Sequence, residues 1–129
     1  MNEYMLIFRN QKPEADKTPS AEQMQAVMKH WQTWIGGLAK QGKYSGTNRL
    51  LSEGKTVKPN KVVSDGPFME AKEMVGGYVI CKARSIDEAV ELAQSCPNLQ
   101  YGGNVEIRPV MVIDYDTGSE KFLQEIVQA

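Results

Sequence analysis

The tripeptide Asp65-Gly66-Pro67, midway along the chain, most limits what this sequence can become. Pro67 fixes φ and removes a backbone donor, while Gly66 supplies a permissive backbone, so no strand runs through this point. Asp65 can accept from nearby backbone N–H groups or cap a short helical turn opening at Pro67. Before the break lie two short runs, 55–58 and 61–64, that read as a hairpin or one bent ribbon. After it comes Gly77-Tyr78-Val79-Ile80-Cys81-Lys82-Ala83, a strong strand pattern. Phe68, Glu70, Lys72 and Glu73 crowd into the connection. A loop of this kind is costly to order unless something holds it, which makes it a candidate site; a capped turn with solvated charges is the plainer reading.

The rest of the chain organises around that break. Residues 4–9 form a short strand, apolar on both faces. A polar connection with Pro13 and Pro19 leads to a long helix opening between Thr18 and Ser20. Ser20 with Gln23 matches a capping box, and Thr18 before Pro19 is a competing cap. Met24, Val27, Met28, Trp31, Ile35 and Leu38 recur at helical spacing and predict one core-facing stripe, with Trp34 at its edge. Gly42 is placed to end the helix. Gly36-Gly37 inside it costs about 1 kcal/mol per glycine relative to alanine, which close packing against a neighbouring backbone would explain.

Residues 43–51 follow as a second strand, with Tyr44 and Leu50 as packing residues. Ser85 and Glu88 form a capping box that opens a second helix, and Pro97 stops it. A loop with Gly102-Gly103 leads to the last core strand, 105–112, where Pro109 predicts a sheet edge or a bulge. The tail, 114–129, carries a weak helix pattern at 120–128.

This order, β-α-β-(hairpin)-β-α-β, predicts an α+β, ferredoxin-like antiparallel sheet in residues 1–113. Two helices cover one face of such a sheet. Leu6 with Ile7, Val79 with Ile80, and Ile107 with Val110 place apolar side chains on both faces, so a second subunit is expected on the other: a homodimer.

With 129 residues, 41% hydrophobic and 24% charged, the chain has room for one core. A net charge of −1 argues against nucleic-acid or anionic-membrane partners. Cys81 and Cys96 make neither a disulfide framework nor a metal cluster, and one histidine excludes a multi-histidine site within one chain, so no metal or cofactor is expected. No run approaches the ~20 apolar residues that span a bilayer, and no basic region followed by an apolar run opens the chain, so a cytoplasmic location is expected.

At 100° per residue, His30 lies beside Val27 and Trp34 at the margin of the apolar stripe. That position suits a proton-transfer group and, equally, an ordinary boundary histidine. Glu70, Lys72 and Glu73 suit a polar ligand or one another. Arg108 suits an anion clamp or a structural pair with Asp65, Glu70 or Glu73. Phe68 is the aromatic candidate for ligand contact, with core or interface as the plainer role for it and for Trp31, Trp34 and Tyr78.

Asp65-Gly66-Pro67-Phe68, followed by Glu70, Lys72-Glu73 and Gly76-Gly77, resembles the signature of the DGPF proteins, a branch of the YCII-related family. The likeness extends to Tyr4-Met5-Leu6, the helix around His30, Asp87-Glu88-Ala89 and Val105-Glu106-Ile107-Arg108-Pro109. Residues 55–63 look shorter than the family's usual hairpin, and 18–23 look offset at the helix start. The resemblance implies a dimeric α/β barrel with sheets packed face to face. It also implies a His–Asp pair in a cleft, for which this chain offers His30 and Asp65. Two function classes follow: a small-molecule enzyme, lyase- or dehydrochlorinase-like by analogy, with that pair as general acid and base, or a non-catalytic dimeric module binding a metabolite or a protein partner. Haem or oxygenase chemistry, found elsewhere among dimeric α/β barrels, is a third reading, with His30 as its one imidazole ligand.

Overall fold

The computed structural model describes residues 1–11, 20–65, 73–111 and 113. Along the chain run β1 (Asn2–Gln11), α1 (Ala21–Lys40), β2 (Tyr44–Arg49), β3 (Lys55–Lys58), β4 (Val62–Asp65), β5 (Glu73–Ala83), α2 (Ile86–Gln94), α3 (Pro97–Gln100) and β6 (Asn104–Pro109). Four strands form one antiparallel sheet in the order β2-β5-β1-β6, and β3 with β4 forms a separate ribbon. The protein is therefore α+β, with the strand order of a ferredoxin-like sheet. No helix among the described residues is long and apolar enough to cross a membrane.

Strand alternation sorts β1 and β5 into two faces. Tyr4, Leu6 and Phe8 stand opposite Cys81, Val79 and Gly77 on the face that the helices cover. Leu38 from α1, Ala89 and Ala93 from α2, and Cys96 complete this core. Phe8 is wedged edge-on against Trp31, with ring centroids 4.9 Å apart, and Trp31 meets Trp34 at 5.8 Å. The Trp34 indole donates to the Leu92 carbonyl at 3.2 Å, tying α1 to α2.

The helix boundaries follow from local chemistry. Ser20 wins the start of α1: its hydroxyl accepts from Gln23 N, and Gln23 Oε1 accepts from Ser20 N at 2.9 Å. Thr18 lies outside the described residues. Gly42, at φ +69°, ends the helix in a Schellman motif, with Lys43 N bonded to Leu38 O and Gly42 N to Ala39 O. Ser85 caps α2 by accepting from Glu88 N, but the Glu88 carboxylate does not complete the box. It bonds Arg84 Nε at 2.7 Å, and its Oε1 lies 3.2 Å from Lys43 Nζ, an ion pair without hydrogen-bond geometry.

Several sequence expectations need correction. Pro97 opens α3 rather than only stopping α2, because a missing N–H costs nothing at a helix's first position. β5 begins at Glu73, not Gly77, because β1 runs on to Gln11 and offers it partners: Gln11↔Glu73, Asn10↔Met74 and Arg9↔Val75, after a register shift at Phe8/Arg9. The last strand ends at Pro109, not 112, and occupies a sheet edge as its proline requires. Leu50 is 47% exposed, although its N–H bonds Gly76 O. Met24 and Met28 are 37% and 57% exposed, so the apolar stripe of α1 is buried only from about Trp31 onward. Gly36 and Gly37 serve no close packing: a Cβ at either would meet nothing within 4 Å. The tail, 114–129, lies outside the described residues.

Candidate functional site

Three segments meet at one end of the main sheet. β1 leaves it at Gln11 opposite Glu73, where β5 enters, and β6 enters at Asn104 opposite Arg9. β5 therefore begins where β1 leaves and β6 enters. Tyr101 lies three residues before β6, and His30 reaches it from α1.

His30 Nδ1 stands 2.6 Å from the Tyr101 hydroxyl, with the two rings stacked at 6.0 Å and 27°. Both residues are exposed. The direction of the bond follows the imidazole tautomer: the phenol donates to a bare Nδ1, or accepts from Nδ1–H. Among the described residues, Nε2 has no partner.

Asn98 holds this corner. Buried at the start of α3, its Nδ2 donates to the carbonyls of Asn104 at 2.9 Å and Arg9 at 3.5 Å, and its own carbonyl accepts from Gly103 N at 3.0 Å. A Cβ at Gly103 would collide with the Asn98 and Asn10 side chains and lie 2.8 Å from the Arg9 carbonyl. Only glycine fits there. The result is a fixed link from α3 to the junction of β1 and β6, which positions Tyr101.

Asp65 closes the ribbon at its base, opposite Lys55, whose Nζ lies 2.5 Å from Oδ1. Its side chain is 93% exposed. No hydrogen bond or ion pair joins His30 to Asp65 among the described residues; each has its own partner. Phe68, Glu70 and Lys72 lie outside the described residues. Glu73 opens β5, and its side chain is likewise outside them.

Among the described residues Arg108 pairs not with Asp65 but with Glu106, two residues back on the same face of β6: Nη1 stands 3.2 Å from Oε2. Arg9, from β1, approaches the other oxygen of Glu106 at 3.3 Å. Arg108 and then Arg9 hold the Glu106 carboxyl below the usual carboxylate range. This pairing engages one of the Arg108 guanidinium nitrogens and leaves the side chain 67% exposed.

The two thiols are poor nucleophile candidates. Burial raises both, Cys96 to about 11, so neither supplies thiolate near neutral pH. Among the described residues, no three His, Cys, Asp or Glu side chains gather as a metal site. A shallow groove between α1 and α2 is bordered by Thr33, Trp34, Gly37, Gln41, Leu92 and Ser95. Its hydroxyls bond inward, Thr33 to Lys29 O and Ser95 to Leu92 O, rather than toward a ligand.

Sequence reasoning missed Tyr101, Arg9 and Asn98. The Glu106/Arg108 spacing, two apart on a strand, was a readable signal for the first half of the charge cluster. Arg9 and Tyr101 enter through strand pairing and helix placement, which no local pattern carries.

Among known proteins, the chain matches the YCII-related domain over residues 3–114. It is also 38% identical over 50 residues to the uncharacterized protein R00369 of Rhizobium meliloti (strain 1021), a match covering 38% of this chain and 40% of that protein's length. The domain match runs from the second residue of β1 past the end of β6, taking in every strand and helix described above; the chain belongs to the YCII-related family.

Proposed function

We propose that this chain is a homodimeric small-molecule-binding protein of the DGPF branch, paired through the sheet face that the helices leave open. The observation that carries this reading is the character of that face. Met5, Ile7, Tyr78 and Ile80 form an apolar centre on β1 and β5, and no helix among the described residues packs on them. A central pair of strands that is apolar on its open side is a typical protein-interaction surface. The ligand cleft then belongs at the end of the sheet near Tyr101 and His30, where an exposed imidazole and phenol offer polar contacts on a pinned corner.

The acid–base reading, with His30 and Asp65 as catalytic pair, has one observation in its favour: both side chains are open to solvent, and each is held by a single described partner. A dimer could bring one copy's Asp65 to the other's cleft.

Sedimentation velocity tests the assembly: a dimer at micromolar concentration is expected, and a monomer there rejects it. NMR of the His30 ring separates the two functional readings. If its signals are the same in the parent and in Asp65→Asn, the acid–base pair is excluded and the binding module stands. A shift of those signals favours the pair.

A further inference from the structure

We infer that the Val57/Val63 face of the β3–β4 ribbon packs against the same face of a second copy, extending the sheet-face dimer proposed above, on which this inference rests. The ribbon's register sets Val57 opposite Val63 and Lys55 opposite Asp65. Two-residue alternation puts these four side chains on one face. Val57 and Val63 are 70% and 57% exposed; on the other face Thr56 and Ser64 are partly covered, while Val62, next to the turn, is 54% exposed. The apolar pair thus points away from the body.

Such a ribbon does not hold itself in water. Isolated two-stranded hairpins are marginal, and this one is joined by a turn in which Asn60 and Lys61 both take positive φ, 67° and 62°. Left-handed backbone is unfavourable for lysine. A contact outside the chain would stabilise both features.

Three considerations point to a second copy as that contact. Lys55, Lys58 and Lys61 lie along or beside the strands and discourage edge-to-edge extension, which leaves burial of the face. That face is self-complementary: an exposed cation and an exposed anion flank the valines, so a two-fold mate can set Asp65 against Lys55 and Lys55 against Asp65. A partner of single charge would face a mismatch at one of the two. The patch is also too small to sustain a specific dimer alone, since stable interfaces bury about 1,200–2,000 Å². It therefore adds to the larger open sheet face rather than replacing it.

Analytical ultracentrifugation of four variants tests this. Val57→Asp/Val63→Asp should raise the dimer dissociation constant about tenfold or more while leaving the near-UV tryptophan signal of the core unchanged, because the ribbon lies outside the core. Lys55→Glu makes the face acidic and Asp65→Lys makes it basic, so each alone should dissociate more readily than the parent. Their mixture should restore dimers, visible by native mass spectrometry as mixed species. An intrachain role for the Lys55–Asp65 pair gives no such rescue on mixing. The inference is overturned if the valine variant dimerises as tightly as the parent, if mixing gives no mixed dimer, or if the parent is a monomer. Ile7→Asp, on the open sheet face, tests the underlying reading separately. If it leaves dimerisation intact, the sheet-face pairing fails and the ribbon contact fails with it; if it weakens dimerisation and the valine variant does not, the sheet-face pairing stands and the ribbon contact alone is rejected.

Discussion

The helix-covered and open faces of the main sheet come from alternate residues of the same strands, yet they are held together differently. On the covered face Leu6, Val79, Cys81 and Ala83 are fully buried, and no charged side chain belongs to that core. On the open face Met5, Ile7, Tyr78 and Ile80 are half-buried, and the β6 side carries Arg9, Glu106 and Arg108. One face carries the helices; the other, among the described residues, is apolar at its centre and charged along the β6 side. The difference is one of what lies above each face rather than of strand composition.

The widest predicted gap separates two neighbours on β1. Leu6→Ala should cost ~2–5 kcal/mol, because it opens a cavity among residues that cannot collapse into it. Ile7→Ala should cost ~1 kcal/mol or less in dilute protein, where its side chain is already partly in water. Urea denaturation at low and high protein concentration reads both. Equal losses at low concentration would break the comparison and mean that something in the same chain covers the open face. A loss for Ile7→Ala that grows with concentration would sharpen it.

Gly103 lies where β1, β6 and α3 join at one end of the sheet. Gly103→Ala should destabilise by ~1–3 kcal/mol, since the added methyl meets Asn98, Asn10 and the Arg9 carbonyl together. It should also perturb the NMR signals of Tyr101 and His30, which depend on the same corner. A melting midpoint equal to the parent's would show that this corner is looser than its packing indicates.

Acid should act unequally on carboxylates of the two sides. Glu88 sits at the edge of the helical layer with its side chain 11% exposed, and Arg84 and then Lys43 hold its carboxyl below the usual range. Glu106 is lowered by Arg108 and Arg9 but is 36% exposed and better screened. For a depressed carboxyl, the stabilisation is complete above the unfolded-state value, about 4.3, and is lost as pH falls through the lower folded value. Thermal melts between pH 7 and pH 3 should therefore show a steeper acid decline in the parent than in Glu88→Gln, with Glu106→Gln changing the slope less. The reverse ranking would place the more strongly coupled carboxylate on the open face.

Much of this architecture was legible in the sequence. Element order, the Ser20–Gln23 cap, the Gly42 stop and the edge position of Pro109 are local signals, each fixed by backbone chemistry at a few residues. The errors lie where a partner strand or helix decides. Glu73 joins β5 because β1 happens to be long enough to pair with it, and Met24 and Met28 match the helical period although nothing in the described core reaches them. The site was harder to read. His30 stands out as a candidate from its place on the stripe margin, but Tyr101, its partner, is 71 residues away and Arg9 lies 97 residues from Glu106. Apolar residues on both faces of the strands did not reveal which face the helices would take.

The smallest effect concerns the outer side of the layer that covers the sheet. Gly36 and Gly37 interrupt α1, and a Cβ on either would enter open space. Leu38 beside them is buried, so the helix is well anchored at this point and the glycines are not needed for its packing. Replacing a helix-interior glycine by alanine removes backbone freedom from the unfolded chain, which is worth up to ~1 kcal/mol when no clash opposes it. Gly36→Ala and Gly37→Ala should each raise the melting midpoint slightly, without changing the oligomeric state. If either lowers it, a further surface must lie against this side of α1 in solution, from the tail or from another copy. The helices would then be covered on both sides, and the open sheet face would no longer be the one surface of this layer pair to need a partner.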